Sequence, residues 1–484
     1  MAYRITVLPP QVDIFCHGGD LLSALRSAGL APDAPCGGEG HCGKCTVILD
    51  DREVSACRTT VDRDMTVTIP QASDTQILTE SCHTFASSSS GDGYALAFDI
   101  GTTTVAGYLL AADGTQLVSD SRLNPQKVYG ADVISRIRHA LDGNLRSLTG
   151  CIRSCVLEMA LDLCRRAHVA PENINTVSVV GNPAMQQLFL GIVPKNLARI
   201  PFAPVLTQSE SVPAVDYLPD FSNARLLIVP DISGFVGADT VAGILATAMD
   251  RQDPITLLVD IGTNGEMVLG NRHRLVACST AAGPALEGAN ISCGMRGQTG
   301  AVDHVWLEEG TMLHSVIGST EATGICGSGL IDAVAAALDL GLLNSRGRIL
   351  TPDRTIAITP QVRLTQEDIR QVQLAKGAIA AGIRLLARQL DISLEDIHRV
   401  YLAGAFGTYM DPAAACRMGL LPRELEGKIE AVGNAAGSGA KLLACNPGIL
   451  PDVQQLVTRT EFLELASAPG FQRLFAESMR FSND

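Results

Sequence analysis

Four cysteines near the start of the chain, Cys36, Cys42, Cys45 and Cys57, are spaced C-x5-C-x2-C-x11-C. The first three fall in the loop P-C-G-G-E-G-H-C-G-K-C, whose glycines free the backbone to wrap a cluster and donate N–H bonds to its sulfurs. A turn at positions 50–51 folds the chain back so that the fourth can join them. Four thiolates hold zinc or an iron–sulfur cluster. Zinc more often takes two separated C-x2-C pairs, whereas here one loop supplies three ligands and a later residue supplies the fourth. A second chemical pattern occurs twice, as L-A-F-D-I-G-T-T-T-V at 96–105 and I-T-L-L-V-D-I-G-T-N-G-E-M at 255–267. Each copy is a run suited to a buried strand that ends in an acid, Asp99 or Asp260, and a glycine–threonine turn. Glycine lets backbone N–H groups approach a phosphate, and hydroxyls beside an acid suit a hydrated Mg²⁺. The pair therefore points to a nucleotide held between two similar lobes. Ordinary β-hairpin turns are the plainer reading, because D-x-G-T alone is a weak pattern.

The elements that must position these residues divide the chain in three. Residues 1–82 read as a small domain, with strands at 3–8, 45–49 and 65–69 and helical apolar spacing at 20–29. Residues 83–93, H-T-F-A-S-S-S-S-G-D-G, have the composition of a flexible linker. Residues 94–484 read as an α/β body with lobe one at about 94–250 and lobe two at about 251–484. In lobe one a buried strand at 177–181 places Asn182 at its end, where open α/β sheets bind ligands. A further strand leads into P-D-I-S-G-F-V-G-A-D, where Asp231 stands ahead of a helix that it could cap. In lobe two, G-P-A-L-E-G-A and G-I-C-G-S-G-L-I-D precede a long helix at 365–390. A strand at 399–402 then ends in A-G-A-F-G, and G-N-A-A-G-S-G-A opens another helix at 433–440.

Composition narrows the function classes. With 484 residues, 46% hydrophobic and 18% charged, the chain can bury large cores. A net charge of −14 argues against a nucleic-acid backbone as partner. No run approaches the ~18 uncharged apolar residues of a membrane span. The start M-A-Y-R-I-T-V-L-P-P lacks a signal-peptide apolar region, so a cytoplasmic location is expected. The 14 cysteines are then read as metal or cofactor ligands and as core residues rather than disulfides. Cys151, Cys155 and Cys164 fall on a helical stretch and Cys326 on a glycine turn, and all four read as packing. The nine histidines show no zinc pattern.

The N-terminal cysteine arrangement resembles the plant-type and related 2Fe–2S ferredoxins across the whole 1–82 segment. The resemblance implies a β-grasp domain with one 2Fe–2S cluster on Cys36, Cys42, Cys45 and Cys57. In the body, the order D-I-G-T, G-N, D-I-G-T-N-G-E, A-G-A-F-G, G-N-A-A-G-S-G-A resembles the sugar kinase, heat-shock chaperone and actin superfamily. That implies a two-lobed, ribonuclease H-like ATPase. Gly101, Thr102, Thr103 and Thr104 would hold phosphates in one lobe, with Asn182 also at the nucleotide, and Gly262, Thr263 and Asn264 in the other. Asp99 and Asp260 would face a hydrated Mg²⁺, Gly404, Ala405 and Phe406 would lie against the adenosine of ATP, and Asp231 would position attacking water. The combined wording is closer to one branch, the ATP-dependent reductive activators of corrinoid proteins. Some of its members carry extra linker and middle domains where this sequence shows only the serine-rich tether.

From that branch the expected activity is ATP-driven delivery of one electron from the cluster to an inactive cobalt(II) corrinoid protein, returning it to cobalt(I). The expected partners are the corrinoid protein and an upstream low-potential donor, with a homodimer allowed and neither nucleic acid nor membrane involved. Three alternatives stand beside it. They are a nucleotide-gated ferredoxin that only docks partners, an activator of a radical dehydratase, and a small-molecule kinase with an accessory cluster.

Overall fold

The computed structural model describes residues 2–9, 11–28, 30–32, 34, 38, 40, 45–50, 52–69 and 93–482, apart from the side chains of Ala405 and Phe406. The N-terminal unit contains β1 (Tyr3–Leu8), β2 (Val12–Cys16), α1 (Leu21–Ser27), β3 (Thr46–Leu49), β4 (Arg52–Ser55) and β5 (Met65–Thr68). They form one sheet in the order β2-β1-β5-β3-β4, with β1 and β5 parallel at its centre. Asp20 caps α1 by accepting from Ser23 N, and Leu21, Leu22 and Leu25 pack under the sheet against Ile5, Val7, Val47 and Val67. This is the β-grasp arrangement expected from the sequence. Cys36 and Cys42 lie outside the described residues, as does the linker apart from Gly93.

The body repeats one sheet plan twice. In lobe one β6 (Tyr94–Ile100), β7 (Thr104–Ala111) and β8 (Gln116–Leu123) form an antiparallel meander. Helices α2 (Val133–His139) and α3 (Leu145–Arg166) follow, then β9 (Ile174–Gly181), parallel to β6. Helix α4 (Pro183–Leu190), β10 (Glu210–Pro213), β11 (Arg225–Ile228) and α5 (Ala238–Thr247) complete the lobe, giving the strand order β10-β11-β9-β6-β7-β8. In lobe two β12 (Thr256–Ile261), β13 (Gly265–Gly270) and β14 (Leu275–Thr280) repeat the meander.

An insertion carrying β15 (Ala301–Glu308), β16 (Thr311–Val316), β17 (Gly324–Ile325), α6 (Gly327–Asp339), β18 (Thr355–Ala357) and β19 (Arg363–Thr365) leads into α7 (Gln366–Gln389). Thr365 and Asp368 cap α7 reciprocally, at the start of the long helix expected at 365–390. Next come β20 (Arg399–Ala403), α8 (Gly404–Tyr409), α9 (Pro412–Arg417), β21 (Ile429–Gly433), α10 (Ala435–Cys445), α11 (Leu450–Arg459), β22 (Thr460–Phe462) and α12 (Phe471–Ser478). The sheet order is β21-β20-β12-β13-β14-β22, with β20 and β21 parallel to β12. The central strand of each sheet is therefore the strand that carries the repeated acid.

Helices α5 and α10 lie between the two sheets and share one apolar core with them. That core joins Ala97, Tyr108 and Val180 of lobe one to Leu258, Val268 and Tyr401 of lobe two. The helices meet on small residues. A Cβ at Gly439 would stand 2.0 Å from the Ala242 carbonyl oxygen, and one at Gly243 would stand 3.1 Å from the Leu258 side chain. Ser178 of β9 donates its hydroxyl to the Ala440 carbonyl at 2.6 Å, tying α10 to the lobe-one sheet. The last helix is held differently. Lys376 of α7, 1% exposed, donates to the Ser478 and Arg480 carbonyls at 2.6 and 2.7 Å.

A single added methyl group tests the helix crossing. Gly439→Ala forces α5 and α10 apart and is expected to destabilise the protein by about 1–3 kcal/mol or more, the cost of overpacking a tight core. Gly150→Ala, in α3 with nothing within 4 Å of the added carbon, is expected to raise stability by up to ~1 kcal/mol by removing unfolded-chain freedom. Differential scanning calorimetry of the two variants should show thermal midpoints moving in opposite directions.

Candidate functional site

Asp99 and Asp260 close the same strand in each lobe, and the residues after them form β-hairpin turns. Ile100 pairs with Val105 across one turn and Ile261 with Gly265 across the other. The plain hairpin reading of these sequences is thus correct for the backbone, and the side chains of the two turns also meet. Thr103 Oγ1 of lobe one and Thr263 Oγ1 of lobe two donate to the two carboxylate oxygens of Glu287, at 3.4 and 2.9 Å. Asn434, which caps α10 by accepting from Gly437 N, turns its amide nitrogen to Asp99 Oδ2 at 3.0 Å. The two turns therefore face one another across one cleft.

The lobe-one turn is braced from behind. Asn124 Nδ2 donates to the Gly101 carbonyl at 2.8 Å, Arg136 Nη2 to the Thr102 carbonyl at 2.6 Å, and Asn124 N to the Thr103 carbonyl at 2.9 Å. Three successive carbonyl oxygens are thereby drawn to one side, which keeps their negative ends from an incoming anion. Arg136 is fully buried, and the hydrogen bonds that hold it go to the carbonyls of Thr102 and Gly130 and the Gln126 side chain. Burial brings its guanidinium down to about 10, still charged at neutral pH. Asn182 caps α4 by accepting from Met185 N, and its amide nitrogen donates to Thr102 Oγ1 at 3.0 Å. Asn182 thus orients the turn. Thr104 begins β7, its carbonyl 3.0 Å from where a Gly101 Cβ would lie.

In the lobe-two turn, Gly262 N donates to the Asn264 carbonyl at 2.9 Å, which closes the hairpin. Gly404 begins α8 with φ +86, and a Cβ there would stand 2.8 Å from Asp260 Oδ1, so this position admits only glycine beside the acid. The side chains of Ala405 and Phe406, expected against adenosine, fall outside the described residues.

Five carboxylates, Asp99, Asp231, Asp239, Asp260 and Glu266, repel one another through Asp239, and a sixth, Glu287, lies between the two turns beside Arg296. Glu266 stands directly opposite Asp260 in the β12–β13 ladder and accepts from Ser279 Oγ at 3.2 Å. Asp239 lies in the first turn of α5, with Oδ1 accepting from Thr240 N at 2.7 Å. Burial, the larger cause, and repulsion from Asp239 push Asp99 and Asp260 up to about 7. Burial raises Asp239 itself to about 6, and burial together with Asp239 holds Asp231 and Glu266 well above the ordinary carboxylate range. Asp239 is therefore the hub of the cluster.

Asp231 is 2% exposed, and neither of its oxygens has a hydrogen-bond partner. Helix α5 is capped at Gly237, so Asp231 is not the N-cap that its sequence setting allowed. A buried acid without a partner and several mutually repelling carboxylates are the environment that a hydrated divalent cation relieves. Among the described residues no group of three acidic, histidine or cysteine side chains could by itself hold a metal. Mg²⁺ does not need one, because it keeps most of its waters and is held by one or two carboxylates plus phosphate oxygens.

In the N-terminal unit, Cys45 immediately precedes β3 and Cys57 sits in the turn after β4, so the β3–β4 hairpin brings them to the same end. Ala56 N donates to the Cys45 carbonyl at 2.8 Å, and both thiols are free of disulfide. Gly38 and Gly40 adopt φ +100 and +81, the left-handed backbone that a wrapping loop requires. The placed half of the ligand set fits a cluster. The helical cysteines do not form a second site: burial pushes Cys151 up to about 12 and Cys155 and Cys164 to about 11, as for packed thiols.

Sequence reasoning did not single out Arg136, Asp239, Glu266, Glu287, Asn124 or Asn434. Glu287 lay within the quoted G-P-A-L-E-G-A, Asp239 ended P-D-I-S-G-F-V-G-A-D, and Asn434 stood in G-N-A-A-G-S-G-A, so each carried a signal without a role.

Residues 254–484 match the family described as the C-terminal domain of RACo, the ASKHA domain. Residues 94–252 match the RACo middle region, and residues 5–86 match the 2Fe-2S iron-sulfur cluster binding domain. The chain is 36% identical over 425 residues to the corrinoid activation enzyme RamQ of Eubacterium limosum, covering 81% of this chain and 71% of that protein. It is 27% identical over 420 residues to the Co(II) methylated amine-specific corrinoid protein reductase of Methanosarcina barkeri, covering 79% and 76%. Among solved structures it is similar to a reductive activator for corrinoid, iron-sulfur protein, 27% identical, with a TM-score of 0.71 over 99% of this chain and 98% of that one. The chain belongs to the RACo family. Its fold is the one expected, a ferredoxin-type domain followed by an actin-like α/β body. The match to the middle region coincides with lobe one. Among the described residues no helix is long and apolar enough to cross a membrane.

The cluster makes a signed prediction about pH. Asp99 and Asp260 rise from an ordinary value of 3.8 to about 7 on folding, so between those limits the folded chain binds more protons than the unfolded one. Stability from this source is complete below pH 3.8 and is lost as pH rises through about 7. The thermal midpoint of nucleotide-free protein should accordingly fall between pH 6 and pH 8, and Asp239→Asn should flatten that fall. A midpoint insensitive to pH in the unsubstituted protein would remove the case for an unneutralised cluster.

Proposed function

We propose that this chain is an ATP-driven reductive activator that passes one electron from a 2Fe–2S cluster to the cobalt(II) form of a corrinoid protein, returning it to cobalt(I). The observation that carries the reading is the junction of Thr103 and Thr263 at Glu287, which sets two phosphate-type turns face to face across a carboxylate-lined cleft. The same chain carries a cluster-binding domain. The relatives named as corrinoid activation enzyme and corrinoid protein reductase support the choice of partner. An upstream low-potential donor would refill the cluster. A cytoplasmic setting agrees with the absence of a membrane-crossing helix among the described residues.

In this reading residues 1–82 carry the cluster, 83–93 tether it, and 94–484 are the ATPase, with lobes meeting near 250. Cys36, Cys42, Cys45 and Cys57 hold the iron. Thr102, Thr103 and Gly101 contact phosphate from lobe one, kept in place by Asn182, Asn124 and Arg136. Gly262, Thr263 and Asn264 do so from lobe two, and Gly404, Ala405 and Phe406 border the adenosine. Mg²⁺ would be held through its waters by Asp99 and Asp260, and when bound it would neutralise charge on the phosphates. Asp231, buried with free lone pairs, accepts a proton from the attacking water, and burial suits it to that task by raising its affinity for a proton. Asn434 keeps Asp99 aimed into the cleft. ATP is needed because cobalt(II) is the harder centre to reduce, and each ~59 mV of deficit costs about tenfold in a one-electron equilibrium. Closing the lobes on ATP favours one conformation of the activator, and the binding energy tips the transfer.

The test is to mix reduced protein with a cobalt(II) corrinoid protein and to follow cobalt(I) absorbance with and without Mg-ATP. Cobalt(I) is expected in substantial yield only with both nucleotide and cluster. Cys57→Ala should hydrolyse ATP and deliver no electron. Asp260→Ala should keep a reducible cluster and lose hydrolysis by ~100-fold or more, the scale of removing a preorganised electrostatic group. Equal cobalt(I) with and without ATP would instead make the chain a docking ferredoxin.

A further inference from the structure

Glu287 has no role in the assignments above beyond its two hydrogen bonds, yet it lies between the two turns. It ends the short turn Pro284–Glu287, flanked by Gly283 at φ +77 and Gly288 at φ +80. A Cβ at Gly288 would stand 2.4 Å from the Met295 carbonyl oxygen, so the turn is pressed against the chain behind it and its carboxylate is delivered to a fixed place. There Oε1 accepts from Thr263 of lobe two at 2.9 Å and Oε2 from Thr103 of lobe one at 3.4 Å. A Cβ at Gly262 would be 3.6 Å from the same Oε1, so the glycine turn backs directly onto it. One side chain thus takes a hydroxyl donor from each of the two turns read as phosphate loops.

We propose that Glu287 is an internal stand-in for the terminal phosphoryl group of the nucleotide. It bridges the two turns when the cleft is empty of nucleotide and is displaced when ATP takes over the Thr103 and Thr263 hydroxyls. Carboxylate and phosphoryl oxygens are the same kind of anionic acceptor, and one hydroxyl proton cannot serve both. A phosphoryl group spanning the turns while Glu287 stayed in place would also meet a like charge at contact distance, in a cleft that already holds five other carboxylates. Displacement removes that conflict. The product diphosphate lacks the group that competes with Glu287, so the carboxylate regains its hydroxyls after hydrolysis and the turns are bridged again. The inference rests on the reading that this cleft binds ATP.

The full-length protein, Glu287→Gln and Glu287→Ala would be titrated with MgATP and with MgADP by calorimetry, with Asp239→Asn as a control for net charge. Hydrogen exchange of the nucleotide-free forms would be followed over 101–104 and 262–264. Both Glu287 variants are expected to bind MgATP at least five-fold tighter than the unsubstituted protein, with a smaller gain for MgADP. Glu287→Ala should exchange faster in both turns, while Asp239→Asn should tighten both nucleotides alike. Unchanged or weaker MgATP binding with a collapse of hydrolysis would overturn the proposal and make Glu287 a catalytic group. Equal tightening of both nucleotides, as in the control, would reduce it to one charge among six. If the unsubstituted protein binds neither nucleotide, the ATP reading itself fails and takes this inference with it.

Discussion

The contact on which the cleft depends is the backbone approach of α5 to α10, where Gly439 lies against Ala242 with no room for a side chain. Two sheets packed over larger residues at this crossing would stand farther apart, and the strand ends bearing Asp99 and Asp260 would separate with them. The same crossing aims two helix starts at the cleft. Asp239 is in the first turn of α5, and Asn434 caps α10 while holding Asp99. Helix N-termini carry partial positive charge that favours nearby anions. Arg296 favours the charged form of Glu287, whereas Asp99 and Asp239 are answered by the backbone dipoles of these two helix starts. That charge is fractional, so the cluster remains partly unneutralised and disposed toward a cation.

The two turns share a backbone form and differ in how they are supported. The lobe-one turn gives up all three of its carbonyl oxygens to Asn124 and Arg136, and its Thr102 hydroxyl is oriented by Asn182. The lobe-two turn is closed by its own Gly262–Asn264 bond and steadied by Glu287 and Gly404. Preorganised donors are effective because no reorganisation is needed when charge arrives. A buried guanidinium behind the lobe-one turn adds a positive field without offering a direct ligand to the phosphate. The hydrogen bonds of Arg136 run to neutral groups, the Thr102 and Gly130 carbonyls among them, while Asp132 offsets part of its charge from farther off.

Much of this architecture was legible in the sequence. Strand-period runs ending in D-I-G-T fixed the central strand of each lobe, because side chains on a strand buried on both faces leave little choice of residue. The extent of α7 was readable from its apolar spacing, and the β-grasp domain from the ferredoxin resemblance of its cysteines. The body of the cleft was less so. Glu287 meets Thr103 across 184 positions and Asn434 meets Asp99 across 335, and no local pattern encodes a partner at that range. Asp231 shows the converse failure. Its setting before a helix allowed a cap as well as a water-positioning role, but the helix is capped six residues later by Gly237, and the acid is buried without a hydrogen bond. Arg136 was invisible because its hydrogen bonds go to the carbonyls of Thr102 and Gly130, and a sequence pattern does not show which backbone groups a side chain will meet.

The placement of α10 also has a meaning for biosynthesis. Ser178 of the lobe-one sheet waits for the Ala440 carbonyl, 262 residues further along the chain. Until that helix has been made, the inner face of the sheet, with Ala97, Tyr108 and Val180, has no α10 to cover it. At the ~5–20 residues per second of translation, the interval is roughly 10–50 s. Lobe one is thus a structural unit without being an independently completed one, and the nascent chain passes through a long period with an apolar sheet face available to chaperones. A ribosome that stalls between the two regions would leave a ferredoxin domain already foldable from local contacts attached to a body that cannot close.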